Sequence, residues 1–284
     1  MGNALCDCHV HVVGPCAKYP QLPERTYLAG VASVAALKTL GAARGIARFV
    51  VVQPSFYGAD NSATLDALDE LSGNGRGVAV IDPMATSPET LAMFHRRGVR
   101  GLRINLYSPV KAPGGDTLEA SFAATAAAAC MNQWHVQVIA PLPGLLSNAD
   151  VLAKSPVTVV IDHYGLYGDK CPDSPEGRRL LDLVRLPHVW MKLSAPYRHD
   201  RGPLNMVPDR EWIAALLEAA PDRCVWGSDW PHPPHNDDQK GANLEAPYRA
   251  LSYTTLVDEF IAALPSADCA ARVMGDNAVR LYDF

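Results

Sequence analysis

The stretch CDCHVHVVGP, residues 6–15, is a short apolar segment that carries two histidines, His9 and His11, two positions apart. In a β-strand, residues i and i+2 point to the same side, so both imidazoles are expected on one face and Cys6 and Cys8 on the other. Such a pair suits a metal site or the floor of an active site, and it equally suits two hydrogen-bonded core histidines. The rest of the chain decides between these interpretations.

Seven more strand-like segments follow along the chain, separated by amphipathic helical stretches. They are RFVVVQ, GVAVI, GLRIN, HVQVIA, TVVIDH, VWMKLS and CVWGSDW. Two helices have clear starts, because Ser87 with Pro88 and Ser174 with Pro175 form a capping residue followed by a first-turn proline. Strand-then-helix units at intervals of roughly 25 to 30 residues are typical of a TIM-type (β/α)8 barrel.

We therefore predict an α/β fold in which residues 1–284 form one barrel domain, with a long loop and C-terminal helices over about 231–284. A doubly wound sheet is the alternative, and it would normally carry a glycine-rich phosphate loop after the first strand. The segment VVGPCAKYPQLPERTY has neither GxGxxG nor GxxxxGK[ST]. Nucleotide binding therefore has no support in the sequence.

Composition excludes several other classes of protein. With 48% hydrophobic and 19% charged residues in 284, the chain can bury a large core and is not disordered. A net charge of −5 and no basic run longer than two residues argue against nucleic acid as a partner. We expect a cytoplasmic protein with no membrane partner, because neither a signal peptide nor an apolar run near the roughly 20 residues of a bilayer span is recognisable. Seven cysteines, an odd number without a CxxC pair, argue against a disulfide framework or a structural zinc site.

Polar residues stand at the ends of most of the predicted strands. In a parallel barrel these ends meet at one rim, so the side chains are expected to converge although they are far apart in sequence. They are His9 and His11, Gln53 and Ser55, Arg103 and Asn105, Asp162 and His163, Lys192, Ser194 and Arg198, and Ser228, Asp229 and His232.

The coincidence of His9 and His11 with His163 and Asp229 at other strand ends favours a functional site over satisfied core histidines. Asp229 lies between apolar VWGS and WPH, where desolvation is expected to raise a carboxyl pKa toward values useful to a general base. The alternative for Asp229 is a loop or helix-capping carboxylate.

Two cations of the predicted strands are also expected inside the barrel. Arg103 alternates with outward Leu102 and Ile104, so an inward guanidinium that binds a carboxylate is expected. Lys192 either pairs structurally with an acid such as Asp162 or helps to orient the site, and the sequence leaves both interpretations open.

The segments DCHVHVVGP, LPERTY, VVVQPSFYGADN, GVRGLRIN, VVIDHYG and VWGSDWPHP together resemble the amidohydrolase superfamily. More narrowly, they resemble its 2-pyrone-4,6-dicarboxylate lactonase-like branch of lactone hydrolases and isomerases. The resemblance runs nearly from end to end. It implies a (β/α)8 barrel that acts on a lactone bearing carboxylate.

The resemblance also implies roles for individual residues. His9, His11 and His163 match the histidines that line the lactone carbonyl, and Asp229 matches the aspartate that activates water. The positions that match substrate contacts are Arg103, Arg198, Tyr27, Ser55 and His232.

Several positions depart from the dicarboxylate lactonase pattern. Leu166 replaces an arginine after the DHxG motif, and Ile139 and Ala140 replace a tyrosine at the end of strand five. The segment LYSPV lacks a second basic residue after strand four, and Pro234 or His235 takes the place of an asparagine. Fewer groups remain to hold two carboxylates, so lactone chemistry is predicted with more support than the pyrone dicarboxylate itself.

The predicted activity is ring opening of an anionic lactone by water that Asp229 activates, with the oxyanion stabilised by His9, His11 and His163. Strand five ends without the histidine that one-zinc members of the superfamily use, so no metal is expected to be required. Zinc on His9, His11 and Asp229 with an open fourth position is the alternative. The competing functions are a zinc-dependent decarboxylase or hydratase of the same superfamily that acts on an acid from aromatic catabolism, and a non-catalytic binding barrel.

Overall fold

The structure, a computed structural model, describes residues 4–108, 110, 117–199, 206–235 and 238–284. Within these residues, eight parallel strands form one sheet in the order β1 to β8. The strands are β1 (Leu5–Val10), β2 (Ile46–Val52), β3 (Gly75–Ala79), β4 (Val99–Asn105), β5 (His135–Ile139), β6 (Val159–Ile161), β7 (Val189–Ser194) and β8 (Cys224–Gly227). All eight predicted strand segments are confirmed, and the fold is the predicted TIM-type (β/α)8 barrel.

Helices follow the strands and pack on the outside of the sheet. They are α1 (Val34–Ala42), α2 (Ser62–Glu70), α3 (Pro88–Arg96), α4 (Leu118–Cys130), α5 (Leu142–Ser147), α6 (Ala149–Ala153), α7 (Pro175–Arg185), α8 (Arg210–Ala219), α9 (Tyr253–Ala263), α10 (Ala267–Ala271) and α11 (Asn277–Tyr282). Both predicted helix starts are confirmed, because Ser87 Oγ accepts the Thr90 N–H and Ser174 Oγ accepts the Gly177 N–H. No helix in the described part of the chain is long and apolar enough to cross a membrane.

The barrel closes at a seam between β1 and the end of β8. The backbone N–H of His11 donates to the Trp230 carbonyl at 2.7 Å, and the N–H of Asp229 donates to the His9 carbonyl at 2.9 Å. These bonds join the two strand ends that carry the main candidate residues, so closing the barrel also brings those side chains together.

The buried carboxylate of Asp7 fastens this seam. Its Oδ1 accepts the backbone N–H groups of Ser228 at 2.8 Å and His9 at 3.2 Å, and its Oδ2 accepts the Tyr253 hydroxyl of α9 at 3.0 Å. Burial raises the pKa of Asp7 to about 6 against the opposing effect of these donors. One side chain therefore ties together the first strand, the last strand and a covering helix.

A β-bulge in β1 decides which of its side chains face inward. Between the pairs Asp7–Phe49 and Val10–Val51, β1 has one more residue than β2. As a result Cys8 packs in the barrel interior, and the side chain of the next residue, His9, also points inward and contacts Asp162. The prediction that Cys6 and Cys8 lie on the face opposite the histidines is wrong, because strict alternation fails at a bulge.

The barrel interior has an apolar end and a polar end. Its apolar part comprises Cys6, Cys8, Val50, Val52, Val78, Val160, Trp190 and Val225, with Tyr282 of α11 packed against them. The Tyr282 ring lies edge-on to His135, the first residue of β5, at 5.3 Å between ring centroids. The C-terminal helix therefore covers the end of the barrel remote from the strands' carboxyl ends.

Removing the Tyr282 hydroxyl is expected to cost little stability. The hydroxyl is buried and has no hydrogen-bond partner among the described residues, so Tyr282→Phe is expected to leave the melting temperature unchanged or to raise it. Tyr282→Ala leaves a cavity and is expected to lower the free energy of unfolding by about 3–5 kcal/mol. Denaturant unfolding of both variants beside the parent measures the difference, and an equal loss in both would contradict this account.

Candidate active site

A cleft of about 740 Å³ opens to solvent at the carboxyl ends of the strands. Among the predicted site residues, those that line it are His11, His163, Arg103, Arg198, Tyr27 and Ser55. Its walls are largely apolar or carry hydroxyls, and they include Val13, Phe56, Tyr107, Ser108, Val110, Ile139, Pro231, Pro233, Pro234 and Tyr248. The loop after β8 thus covers one side of the cleft. The predicted loop also contains residues 236 and 237, which lie outside the described residues.

Asp229 and His9 lie beneath the cleft floor and are fully buried, with no exposed surface. One ring nitrogen of His9, Nε2, lies 3.6 Å from Asp229 Oδ1, and the other, Nδ1, lies 3.3 Å from Asp162 Oδ1. The His9 ring also contacts the ring of His163 at 4.6 Å between centroids. The structure therefore brings together the four residues predicted as catalytic, His9, His11, His163 and Asp229.

One oxygen of Asp229 is fully occupied by donors from the segment after β7. Asp229 Oδ2 accepts the Tyr197 hydroxyl at 2.6 Å and two N–H groups of Arg198, Nε at 3.0 Å and Nη2 at 2.8 Å. Burial is the largest single effect on the Asp229 pKa and would raise it, but the Arg198 guanidinium and the neighbouring His163, His11 and His9 together outweigh it and hold that pKa well below its usual value. The sequence-based expectation of a raised pKa is therefore wrong, and Asp229 is a carboxylate throughout the neutral range.

The other oxygen of Asp229 faces histidine nitrogens. Oδ1 has no hydrogen-bond partner among the described residues, and it lies 3.3 Å from His11 Nε2. His11 Nδ1 lies 2.8 Å from the Val52 carbonyl oxygen. Because a carbonyl oxygen only accepts, Nδ1 carries the hydrogen and a neutral His11 presents Nε2 without one. Two acceptors, Asp229 Oδ1 and His11 Nε2, therefore point toward the same space.

His163 lines the cleft and has a hydroxyl at one of its ring nitrogens. Its Nδ1 is 2.8 Å from the Ser194 hydroxyl, which can donate to it and leave the hydrogen on Nε2. Burial holds the pKa of His163 well below its usual value and lowers that of His9 to about 3, so both rings are neutral.

Arg103 has guanidinium N–H groups that no described residue accepts. Its Nη1 donates to the Gln53 carbonyl at 3.0 Å, its Nη2 lies 3.6 Å from Asp162 Oδ2, and its buried Nε has no partner among the described residues. Arg103 faces inward, as predicted. A guanidinium with unused N–H groups at the edge of a cleft is suited to an anionic group of a ligand.

The remaining predicted substrate contacts divide into two groups. Tyr27 and Ser55 line the cleft, and the Ser55 hydroxyl accepts a hydrogen bond from Ser108 at 3.0 Å. His232 is buried beside the Tyr197 ring and lines an adjacent hollow with Arg249, so it does not line the described part of the cleft. Burial lowers the pKa of His232 to about 4.

The backbone at the rim adopts a conformation that most residues avoid. His163, Ala195, Asp229 and His232 all have positive φ angles, between 50° and 68°. Such residues cost of order 1–3 kcal/mol each, and they persist where the surrounding contacts fix them. Short 3₁₀ turns after β2, β6 and β7 carry Ser55, His163 and Arg198 respectively. The strained rim therefore aims these side chains at the cleft.

A metal ion would fit one group of these residues. The acceptor atoms of His9, His11 and Asp229 lie within 4.8 Å of one another, and two of them, His9 Nε2 and Asp229 Oδ1, are buried without a hydrogen-bond partner among the described residues. Two nitrogens and one carboxylate oxygen are a chemically adequate set for zinc with an open position. A second group of this kind comprises His9, Asp162 and His163.

Sequence reasoning missed several contributors to this site. Tyr197, which donates to Asp229, and Asp7, which fastens the seam, were given no role although both stand beside motif residues. Gln137 was also missed, because its position at the middle of a strand gives no sign that it bonds to Asp162. Alternation along β5 and β7 was the available signal, since it places Gln137 and Lys192 inside the barrel.

Comparison with known proteins agrees with the motifs. The 4-sulfomuconolactone hydrolase of Hydrogenophaga intermedia is 31% identical over 97% of this chain and 88% of its own length. The 2-pyrone-4,6-dicarboxylate hydrolase of Comamonas testosteroni is 34% identical over 97% of this chain and 89% of its own length. A solved structure from Pseudomonas putida, which carries the name 2-pyrone-4,6-dicarboxylic acid hydrolase, superposes with a TM-score of 0.81 at 28% identity and covers 100% of this chain and 98% of that one.

The sequence profile of the amidohydrolases matches residues 6–284, almost the whole chain. This match confirms the resemblance that the strand-end motifs indicated, and the chain therefore belongs to the amidohydrolase family.

Proposed function

We propose that the protein is a lactonase that opens the ring of an anionic lactone by hydrolysis. The names of the relatives, which include hydrolases of 4-sulfomuconolactone and 2-pyrone-4,6-dicarboxylate, support a lactone as the substrate class. The observation that carries the proposal is the contact at 3.3 Å between His11 Nε2 and Asp229 Oδ1, a carboxylate oxygen without a hydrogen-bond partner among the described residues, below a cleft that also holds a guanidinium with unused donors.

The charges around the cleft floor favour an anionic substrate. Two buried cations, Arg103 and Lys192, and the nearly buried Arg198 surround two buried carboxylates, Asp162 and Asp229, in the described interior. Around this pair of carboxylates one positive charge is left uncompensated. A carboxylate of the substrate that accepts the unused N–H groups of Arg103 would balance it and would orient the lactone ring toward the cleft floor.

The paired acceptors suit the nucleophile. A water molecule that donates one hydrogen to Asp229 Oδ1 and the other to His11 Nε2 would direct a lone pair of its oxygen toward the cleft. Asp229 takes the proton as the water oxygen bonds to the lactone carbonyl carbon. Because its pKa is low, Asp229 is a weak base, but it is ionised throughout the neutral range. Its negative charge also stabilises a proton on the neighbouring imidazole.

The remaining steps need a donor at the carbonyl oxygen and a proton for the leaving group. The Nε2–H of His163 is placed to donate to the oxyanion of the tetrahedral intermediate, and the Arg103 guanidinium adds a positive charge. When the intermediate collapses, the bond between the carbonyl carbon and the ring oxygen breaks. The ring oxygen then takes the proton from Asp229, which restores the site and leaves a hydroxyl and a carboxylic acid in the opened product. The carboxylic acid loses the second proton of the water molecule to solvent and becomes a carboxylate.

A metal-assisted form of the same hydrolysis is the second candidate. It is favoured by the three acceptor atoms of His9, His11 and Asp229, which a divalent cation would satisfy together. Bound there, the ion would lower the pKa of a water molecule and polarise a carbonyl. A decarboxylase or hydratase that uses the same ligands remains the alternative activity for this form.

Asp229→Asn is expected to lower kcat for hydrolysis at least about a hundredfold, because the general base is lost while the fold and the Arg103 contact remain. Turnover is measured with a panel of carboxylate-bearing lactones and a pH indicator, and binding with the same lactones by calorimetry. Asp258→Asn, at an exposed carboxylate that pairs with Arg44, is the matched control and is expected to keep full activity. Near-normal turnover by Asp229→Asn would remove Asp229 from the mechanism.

Arg198→Gln is expected to move the acid limb of kcat to higher pH. The guanidinium lowers the Asp229 pKa, so its removal raises that pKa, and protonation then inactivates the base as the pH falls through the new value. The parent enzyme is expected to show no acid limb from Asp229 near neutral pH. Arg249→Gln, which removes a guanidinium that lies over the Tyr197 ring, is the control and should keep the parent profile. Identical profiles for Arg198→Gln and the parent would contradict this assignment.

Metal content decides between the two forms of the reaction. If water alone occupies the acceptor pair, protein freed of metal by a chelator is expected to retain its kcat, and elemental analysis should find no stoichiometric zinc. Loss of turnover that zinc restores, with one ion per chain that His11→Gln removes, would favour the second candidate instead.

A further inference from the structure

The buried side chains below His9 form a continuous hydrogen-bonded chain that the reaction described above does not use. Lys192 Nζ donates to the Cys8 carbonyl at 2.8 Å and to Gln137 Oε1 at 2.6 Å. Gln137 Nε2 donates in turn to Asp162 Oδ2 at 2.9 Å. Lys192 is fully buried, so its cost of burial must be offset by what these contacts achieve.

The direction of this chain is fixed at each step. An ammonium group only donates, so the Gln137 oxygen faces Lys192 and the Gln137 amino group faces Asp162. Asp162 Oδ2 is thereby satisfied, whereas Asp162 Oδ1 has no hydrogen-bond partner among the described residues and lies 3.3 Å from His9 Nδ1. Lys192 Nζ competes for that nitrogen from the longer distance of 3.5 Å.

Two buried carboxylate oxygens near His9 lack a donor, Asp162 Oδ1 at 3.3 Å from Nδ1 and Asp229 Oδ1 at 3.6 Å from Nε2, and the ring hydrogen bonds more strongly to the closer one. This gain exceeds that of the long contact between the Lys192 ammonium and Nδ1. The hydrogen of His9 therefore belongs on Nδ1, where it donates to Asp162, and His9 Nε2 carries none.

We propose that Asp162, held by Gln137 and Lys192, is a positioning residue that fixes the tautomer of His9 and makes its Nε2 an acceptor that faces Asp229. His9 then acts with His11 as a second acceptor for a water hydrogen or a cation, and it does not donate to a lactone carbonyl. Only the catalytic consequence of this inference rests on the proposed function. The proposed tautomer rests on the contacts of His9 with Asp162, Lys192 and Asp229, and it needs no assumption about the substrate.

The test is a nitrogen NMR measurement on protein labelled with ¹⁵N at its histidines, with His9→Gln and His11→Gln used to assign the two rings. The parent is expected to show His9 with hydrogen on Nδ1 and none on Nε2. His11, whose Nδ1 donates to the Val52 carbonyl, is an internal reference that should show the same tautomer in every sample that contains it.

Asp162→Asn is expected to reverse the His9 tautomer. Gln137 still presents its amino group, so the oxygen of the introduced amide turns to Gln137 and the amino group of that amide turns to His9 Nδ1, which forces the hydrogen onto Nε2. Asp258→Asn, a surface change of the same kind, should leave both rings unchanged. Hydrogen on Nε2 of His9 in the parent would overturn the proposal, even if Asp162→Asn fails to fold. So would an unchanged His9 in folded Asp162→Asn.

The kinetic consequence is measured separately. With an active lactone, Asp162→Asn is expected to lower kcat by about 10- to 100-fold with KM unchanged, as is usual when the partner of a site histidine is replaced. A kcat equal to that of the parent in a variant with a reversed tautomer would show that His9 has no part in the reaction. If no lactone is turned over by the parent, the proposed function fails, whereas the NMR result still decides the positioning role of Asp162.

Discussion

The closure of the barrel between its first and last strands is the constraint on which the site depends. The first strand has a bulge, and Asp229, two residues after the last strand, has a positive φ, so the backbone at this seam is irregular. The Asp7 carboxylate fastens it by accepting two backbone N–H groups and one hydroxyl across the seam. The backbone hydrogen bonds across this seam also fix the positions of His9, His11 and Asp229. The contacts that stabilise the closed barrel therefore also set the geometry of the site.

The site is unusual in its balance of donors and acceptors. On one side of Asp229, Arg198 and Tyr197 crowd a single oxygen with donors, which keeps the carboxylate ionised. On the other side the second oxygen meets imidazole nitrogens of His9 and His11, and the Val52 carbonyl accepts the hydrogen on Nδ1 of His11, the ring nitrogen remote from that oxygen. Acceptors held together in this way would be satisfied by a hydrogen donor or a cation. The site is therefore suited to binding and polarising a water molecule.

The cleft above that floor has fewer charged groups than the floor itself. Its walls are formed by prolines, aromatic rings and hydroxyls, and Ile139 stands at the end of β5 where a polar contact would otherwise be possible. Charge is concentrated at Arg103 and Arg198, and both guanidiniums also have acidic partners below them. The described part of the cleft therefore offers few directional contacts to a ligand.

The sequence by itself determined the barrel, because strand and helix periodicities and caps such as Ser87–Pro88 are local features of the chain. It also determined which residues lie close together, because the carboxyl ends of parallel strands meet at one rim of the barrel. Motifs also identified His9, His11, His163 and Asp229 as the centre of the site. Only the tertiary structure decided the faces of Cys6 and Cys8, since a bulge depends on how two strands pair. It alone decided the direction of the Asp229 pKa and the neighbours of each imidazole nitrogen, because these depend on through-space contacts that no spacing along the chain reveals.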